Sequence, residues 1–239
     1  MHPDLQKLLD LQTKDLALLE VDLELRGLLD QLAALDADLE RGRQEVETAR
    51  RAAAGGTRRR EELEAKVDGL RVLQERRRQR LELAKTSREL QALGSELELA
   101  RSVLAKEESE WFRVAEQAND LAARADAAAA RLGEMEATQE PVREGIEATR
   151  REVEARRSVA LAERRAAAES VARPLLARYD RLRSVRATEV VVALRGNACG
   201  ACFTAVPMSR RSHIRAGLLL DGCEACGVIL YSDTEGSAE

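Results

Sequence analysis

Apolar residues recur at alternating intervals of three and four over most of the first 160 residues. One heptad series runs from Leu11 to Ala84, and a second runs from Leu90 to Ala160 and includes Val142. Most seam positions in both series are apolar. Heptads sustained over this length predict two long helices that pair as a coiled coil.

The two heptad series are out of phase, because six residues separate Ala84 from Leu90. Between them, Thr86 is followed three residues later by Glu89, which is the spacing of a capping box at a helix start. We therefore predict a tight turn near residues 84–87 and an antiparallel coiled-coil hairpin over residues 1–170. The alternative is one continuous helix that pairs in parallel with a second copy.

The distribution of charge favours the hairpin. Residues 50–88 carry 13 basic and 6 acidic side chains, whereas residues 89–121 carry 3 basic and 8 acidic ones. A hairpin places these arms side by side, so their charges attract. The arginine runs at 58–60 and 76–78 fit either a phosphate-binding patch or a solvated helix face, and we favour the solvated face.

The N-terminal end of the predicted hairpin carries more leucines than a two-helix seam can cover. We expect residues 171–186 to form a short connecting helix that packs on them. Pro174 suits its first turn, and Leu175, Leu176, Tyr179 and Leu182 lie on one face of it. A partner protein is the competing explanation for the same apolar surface.

All four cysteines lie near the C-terminus, as two Cys-x-x-Cys pairs separated by twenty residues: Cys199 with Cys202, and Cys223 with Cys226. This spacing is typical of zinc sites, and four thiolates leave no open position on a tetrahedral ion. With short β-prone runs on both flanks, the pattern predicts a C4 zinc ribbon over residues 187–239, holding one structural Zn²⁺. A redox dithiol and two disulfides are the alternatives.

Composition sets limits on function. Aromatic residues make up 2% of the chain and charged residues 34%, which is typical of long helices. There are only two histidines, and no Gly-rich phosphate loop or converging catalytic set is visible. We therefore expect no enzyme and no small-molecule substrate. No stretch reads as a signal peptide or membrane span, so we expect a cytoplasmic protein with no membrane partner.

Several segments together resemble a known family: LLDLQTKD near the start, LAKTSRELQALGSEL at the turn, LLARYDRLRS before the ribbon, and GNACGACFTAVP with CEACGVILY within it. The chain resembles the bacterial C4-type zinc ribbon proteins with a long N-terminal helical hairpin. One departure is Val228, where the family usually has arginine. The resemblance implies a kinked hairpin that carries the ribbon. In some bacteria it also implies links to flagellar or type III secretion components, to an alternative sigma factor and to RNA.

The sequence thus predicts a mainly α fold, a long antiparallel coiled-coil hairpin followed by a small β-rich ribbon. Two functions fit it: an adaptor that presents the ribbon to a protein partner, which we favour, and a regulatory protein that binds RNA or DNA. Phe203 and Tyr231 are equally consistent with base stacking and with the ribbon core. The arginines expected to contact a partner are Arg210, Arg211, Arg178, Arg181 and Arg183.

Overall fold

The computed structural model describes residues 3–186, 189–217 and 220–232. In this part of the chain the elements are α1 (Leu5–Glu82), α2 (Ser87–Glu169), α3 (Arg173–Val185), β1 (Val191–Arg195), β2 (Ala198–Cys199), α4 (Met208–Arg215), β3 (Asp221–Gly222) and β4 (Ile229–Tyr231). A mainly α fold, with a long helical hairpin before a small strand region, is therefore confirmed. The predicted start of the ribbon at residue 187 lies outside the described residues.

The turn between α1 and α2 is built as the sequence predicts. The backbone N–H of Glu89 donates to Thr86 Oγ1 at 3.2 Å, and the backbone N–H of Thr86 donates to Glu89 Oε2 at 3.2 Å. This reciprocal pair is a capping box, which satisfies backbone donors that the start of α2 would otherwise leave free. Residues 83–86 are not helical, so α1 and α2 are separate helices and the alternative of one continuous helix is wrong.

The chain comprises two compact units. One contains residues 1–32 and 144–239, and the other contains residues 33–143. The second unit is a two-helix hairpin whose predicted seam is buried: the covered side chains are Val46, Leu63, Val67, Leu97, Ala100, Leu104, Val114 and Ala118. Burial at these heptad positions confirms the coiled-coil pattern in this unit.

Opposite charges meet across the 33–143 unit, as the charge distribution predicts. Lys66 pairs with Glu107 at 2.7 Å, and Arg71 pairs with Glu108 at 2.8 Å. Such exposed pairs contribute little stability individually. Their value is that they favour one alignment of the two helices over alternatives.

Glycine and proline residues inside α1 and α2 do not interrupt these helices. α1 continues through Gly55 and Gly56, and α2 continues through Pro141. Val142, predicted to lie in the seam, is instead 50% exposed. Its neighbour Arg143 is half-buried and pairs with Asp36 at 2.5 Å. The buried face of α2 thus shifts by one residue next to the proline.

In the other unit, α3 packs on the surplus leucines as expected. Leu5, Leu8 and Leu11 of α1 form one buried cluster with Tyr179 of α3, against which Leu175, Leu176 and Leu182 pack. Pro174 lies in the first turn of α3. Leu23 and Leu29 stay about half exposed, so α3 covers only the beginning of the leucine-rich segment.

The ribbon, defined here as the described residues from 189 to 232, forms one sheet in the order β2-β1-β4-β3. β1 runs parallel to β4 and antiparallel to β2, and β3 runs antiparallel to β4. Val192, Val206, Ile214, Val228 and Leu230 form its core together with Cys199 and Cys223. Between the two Cys-x-x-Cys pairs, the chain forms a helix, α4, which begins after Pro207. Among the described helices, none is long and apolar enough to cross a bilayer.

Candidate metal centre

Two turns of equivalent geometry carry the cysteines. In the first knuckle, residues 199–204, the Cys199 N–H donates to the Thr204 carbonyl at 3.0 Å and the Phe203 N–H donates to the Cys199 carbonyl at 2.9 Å. In the second knuckle, residues 223–228, the Cys223 N–H donates to the Val228 carbonyl and the Gly227 N–H to the Cys223 carbonyl, both at 2.8 Å. The two knuckles are therefore copies of one hydrogen-bonded turn.

The four thiol sulfurs converge. All lie within 4.8 Å of one another, with Cys199 Sγ 3.8 Å from Cys226 Sγ and Cys202 Sγ 3.6 Å from Cys223 Sγ. A regular tetrahedron of zinc–sulfur bonds of about 2.3 Å places its sulfurs about 3.8 Å apart. A disulfide requires about 2.05 Å, and all four cysteines are free. The cluster can therefore hold a metal ion.

Glycines allow the chain to close around the cluster. A Cβ on Gly200 would collide with the carbonyl oxygen of Ala193 in β1, so only glycine fits between the two cysteines of the first knuckle. Gly227 has φ +78°, a conformation that residues with a side chain rarely adopt. Its α-carbon also faces Leu182 of α3, which a Cβ would meet at 3.4 Å. The second knuckle thus lies against the connecting helix.

The environments of the thiols differ. Hydrogen bonds from the side chain and backbone of Thr204 lower the pKa of Cys202 to about 6. Burial raises the pKa of Cys199, and burial raises the pKa of Cys226 to about 12. Cys202 therefore offers a thiolate at neutral pH, whereas Cys199 and Cys226 must each give up a proton when a cation binds.

One buried glutamine ties α1 to the ribbon. Gln12 Oε1 accepts from the backbone N–H groups of Val190 at 2.9 Å and Val191 at 2.7 Å, and Gln12 Nε2 donates to the Val191 carbonyl at 2.9 Å. The side chain thus binds the edge of β1 as a neighbouring strand would. Two arginines add to the attachment: Arg178 donates to the Leu220 carbonyl and Arg186 donates to the Cys226 carbonyl, both at 3.1 Å.

A second buried polar residue of α1 joins α2 and α3. The Asp15 carboxylate accepts from the Tyr179 hydroxyl at 2.9 Å and from Arg164 Nε at 3.2 Å. Arg164 also binds Asp180 at 2.5 Å, and Arg183 donates to the Asp15 carbonyl at 3.2 Å. Burial, followed by the bond to Asp15, raises the pKa of Tyr179. The network fixes the three helices to one another where the ribbon is attached.

Neither Gln12 nor Asp15 was expected from sequence to have a role. The sequence does contain a signal, because Gln12 lies four residues after Leu8 and Asp15 lies four residues after Leu11, a spacing that places each pair on the same helix face. Polar residues that continue an apolar stripe are buried with it and need hydrogen-bond partners there. LLDLQTKD contains both residues, and LLARYDRLRS contains Tyr179 and Arg183, which are partners of Asp15.

The helical hairpin matches the model of a known protein family. The model of the CT398-like coiled coil hairpin domain matches residues 11–187, which is more than half of the chain. The chain belongs to this family. The matched region ends before the first cysteine. The family match therefore does not bear on the metal site, and the case for that site in this CT398-like chain depends on the geometry of the four cysteines.

Solved structures share the fold of this CT398-like chain. CT398 from Chlamydia trachomatis matches with a TM-score of 0.72 and 22% identity, over 96% of this chain and 97% of that one. The HP0958 protein from Helicobacter pylori matches with a TM-score of 0.66 and 16% identity over the same shares. A protein from Mycobacterium smegmatis matches with a TM-score of 0.55 and 22% identity, over 98% and 100%. A search of the curated proteins finds no match.

The five arginines predicted to contact a partner differ in their surroundings in this CT398-like chain. Arg178 and Arg183 bind backbone carbonyls at the base, as described above. Arg210 lies on α4 and binds Asp221 at 2.6 Å, Glu224, and the Gly222 carbonyl at 2.7 Å. Arg181 is exposed and Arg211 is half-buried. A role for any of the five in binding a partner stays a prediction, but Arg210 also braces the ribbon.

The two ribbon aromatics differ in exposure. Tyr231 is partly buried and packs against the core formed by α1 and α3. Phe203 is 66% exposed, so the ribbon core does not account for it.

Proposed function

We propose that this chain is a non-enzymatic adaptor that binds one structural zinc ion and presents its ribbon to a protein partner. The observation that carries this proposal is the convergence of four thiols on a domain too small to be stable from its apolar core alone. Four cysteine ligands would complete a tetrahedral zinc site and leave no position for a catalytic water. The site thus suits a metal that stabilises the ribbon.

The attachment of the ribbon supports presentation of a surface. Gln12, Arg178 and Arg186 hold β1, the segment before β3, and the second knuckle against the helices. Within the described part of the chain, no such element covers the first knuckle at Phe203, whose side chain is exposed. A rigid support beneath an exposed turn is the common arrangement of recognition sites.

Binding of RNA or DNA is the alternative. The arginines that would serve it are partly occupied, since Arg178, Arg183 and Arg210 already bind groups within the chain. Polyanion binding requires cations that can replace counterions along the phosphate backbone. These contacts favour the protein partner.

The metal proposal is tested by elemental analysis of protein purified without chelators. We expect one zinc per chain, and less than about 0.5 equivalents would contradict a tightly bound structural ion. Cys223→Ser should lose the metal. Ser212→Ala, which removes a hydroxyl from the exposed face of α4 and no thiol, is the matched control and should retain it.

The adaptor proposal is tested by crosslinking and capture from a native lysate with and without nuclease. Under the adaptor function, capture of a specific protein survives nuclease and persists at raised salt. Loss of capture on nuclease treatment, with a steep dependence on salt, would instead establish nucleic-acid binding.

A further inference from the structure

Phe203 occupies a position that the other knuckle gives to glycine. The hydrogen-bond pattern aligns Phe203 with Gly227, since each donates its N–H to the carbonyl of the first cysteine of its knuckle. Phe203 has φ +59° and is the non-glycine residue with positive φ in the described chain. A bulky residue in this left-handed region is a genuine outlier.

The fold gains little from this phenylalanine. Its ring is 66% exposed, so it adds little to the ribbon core, while its backbone conformation favours glycine. Residues held in strained conformations cluster at ligand-binding and switch sites. An exposed aromatic ring at a strained position therefore points to a contact outside the chain.

The surroundings of the ring are basic. The Arg195 guanidinium lies over the Phe203 ring, 5.8 Å from its centroid. Arg215 donates to the carbonyl of Gly196 at 3.2 Å, which places a second guanidinium beside the residue that follows Arg195. Arg195 and Arg215 are both exposed. The ring and the two cations together form what we call the Phe203 surface: Phe203, Arg195 and Arg215.

We propose that the Phe203 surface binds an acidic segment of a partner protein that carries an apolar side chain. The apolar side chain covers the ring, and its flanking carboxylates pair with Arg195 and Arg215. Aromatic and arginine side chains together are typical of the residues that dominate protein interfaces. This inference rests on the proposed adaptor function and specifies the partner chemistry of its ribbon.

A peptide fits this surface better than a nucleic acid does. Arg195 already covers one face of the ring, which leaves one face for stacking. Among the described residues of the ribbon, Arg210 is neutralised by Asp221 and Glu224. The Phe203 surface offers two cations, Arg195 and Arg215, which match a few carboxylates rather than a continuous polyanion.

The chain contains two phenylalanines, so fluorine labelling tests the proposal directly. Full-length protein labelled with 4-fluorophenylalanine should give one ¹⁹F resonance from Phe203 and one from Phe112, assigned with Phe203→Leu. Phe112 lies on α2, is 64% exposed, and serves as the internal reference. The probes are three pools of synthetic 12-residue peptides of randomised order: Asp/Glu with Leu/Ile, Lys/Arg with Leu/Ile, and Asp/Glu with Ser/Gly.

We expect the acidic apolar pool alone to shift the Phe203 resonance, saturably, and to leave the Phe112 resonance in place. A shift from the basic pool, equal shifts from both acidic pools, or no shift from any pool would overturn the proposal. The oligonucleotide rU12 is added in a separate experiment in place of the peptides. If it shifts the Phe203 resonance, the surface binds nucleic acid and the proposal is likewise overturned.

The variant Phe203→Gly separates binding from folding. We expect at least a tenfold loss of affinity for the acidic apolar pool, while the urea midpoint of zinc release stays the same or rises. Phe112→Leu is the matched control and should change neither. A lowered zinc-release midpoint would show that the ring serves the fold, and unchanged affinity would remove it from the binding surface. If Phe203→Gly still captures the native partner, the adaptor function stands and only this assignment fails.

Discussion

At the residue scale, the attachment of the ribbon depends on Gln12. Its amide makes three hydrogen bonds to the backbone of Val190 and Val191, and all these groups are buried. Gln12→Leu keeps much of the side-chain volume but leaves two backbone donors and one acceptor without partners. Each unsatisfied buried group costs about 1–3 kcal/mol, so we expect a loss of at least ~2 kcal/mol in the local stability of β1.

Amide hydrogen exchange of the segment containing Val190 and Val191 measures this loss. A change of about 2 kcal/mol corresponds to exchange roughly 30-fold faster through local opening. Gln44→Leu, at an exposed position of α1, should leave exchange in β1 unchanged. Equal protection in Gln12→Leu and wild type would show that water replaces the glutamine at no cost.

Tyr179 gives the base of the hairpin a dependence on alkaline pH. Burial and the bond to Asp15 raise its pKa above the ordinary value near 10, so the unfolded chain loses this proton at lower pH than the folded one. The stability that results is present below pH ~10 and is lost as the pH rises further. Tyr179→Phe should lower stability at pH 7 by about 1–2 kcal/mol, by leaving Asp15 short of a donor, and should flatten the alkaline decline.

Absorbance at 295 nm checks the titration of Tyr179. The chain has two tyrosines, so the variant Tyr231→Phe isolates the signal of Tyr179. We expect its phenolate to appear only above the pH at which free tyrosine ionises. Ionisation of Tyr179 near pH 10 in folded protein would contradict the buried hydrogen bond.

Sequence reasoning at this scale succeeds where residue chemistry is unusual. Four cysteines at zinc-site spacing could be grouped without a structure, because few other arrangements use that pattern. Gln12 and Asp15 could not be assigned partners, since those lie about 150 to 180 residues away in the sequence. The exposure of Phe203 could not be foreseen either, because an aromatic residue next to a knuckle is as compatible with a core position.

At the element scale, heptad spacing predicts the pairing of α1 and α2 but not each residue in the seam. The capping box at Thr86 and Glu89 was predictable because it is local. Val142 was placed in the seam by counting heptads, and the buried face shifts to Arg143 beside Pro141. Proline removes a backbone donor within the helix and clashes with the preceding turn, and heptad counting takes no account of that local change.

The adjacent glycines of α1 provide a test of helix packing within the 33–143 unit. A Cβ on Gly55 would meet nothing within 4 Å, whereas a Cβ on Gly56 would lie 3.0 Å from Leu121 Cδ1 and 3.3 Å from the Ala118 Cα. Gly55→Ala should therefore stabilise the helix by about 1 kcal/mol through helix propensity. Gly56→Ala should lose that gain, because the backbone of α2 must move to accept the methyl group.

Thermal unfolding followed by circular dichroism compares these two variants directly, since the substitutions are identical and the positions are neighbours. The midpoint should rise for Gly55→Ala and stay level or fall for Gly56→Ala. Equal increases in both would show that α1 and α2 do not approach closely at Gly56.

At the scale of the whole chain, the 33–143 unit and the ribbon differ in composition and in the interactions that stabilise them. The 33–143 unit buries an apolar seam between two helices and contains no cysteine. The ribbon has a small core in which Cys199 and Cys223 are themselves buried members. Its stability should depend on the metal, as expected for a domain of this size, whereas that of the 33–143 unit should not.

Loss of the metal should therefore unfold one part of the chain and spare the other. In Cys223→Ser, three thiols remain, and a buried hydroxyl replaces the fourth, so the site cannot complete its tetrahedron. We expect the amides of the ribbon to lose protection from hydrogen exchange, together with those around Gln12, whose partners are Val190 and Val191. Amides of residues 33–143 should exchange as in wild type, because no hydrogen bond of that unit involves the cluster. Global loss of helical protection in Cys223→Ser would show instead that the hairpin requires the ribbon in order to fold.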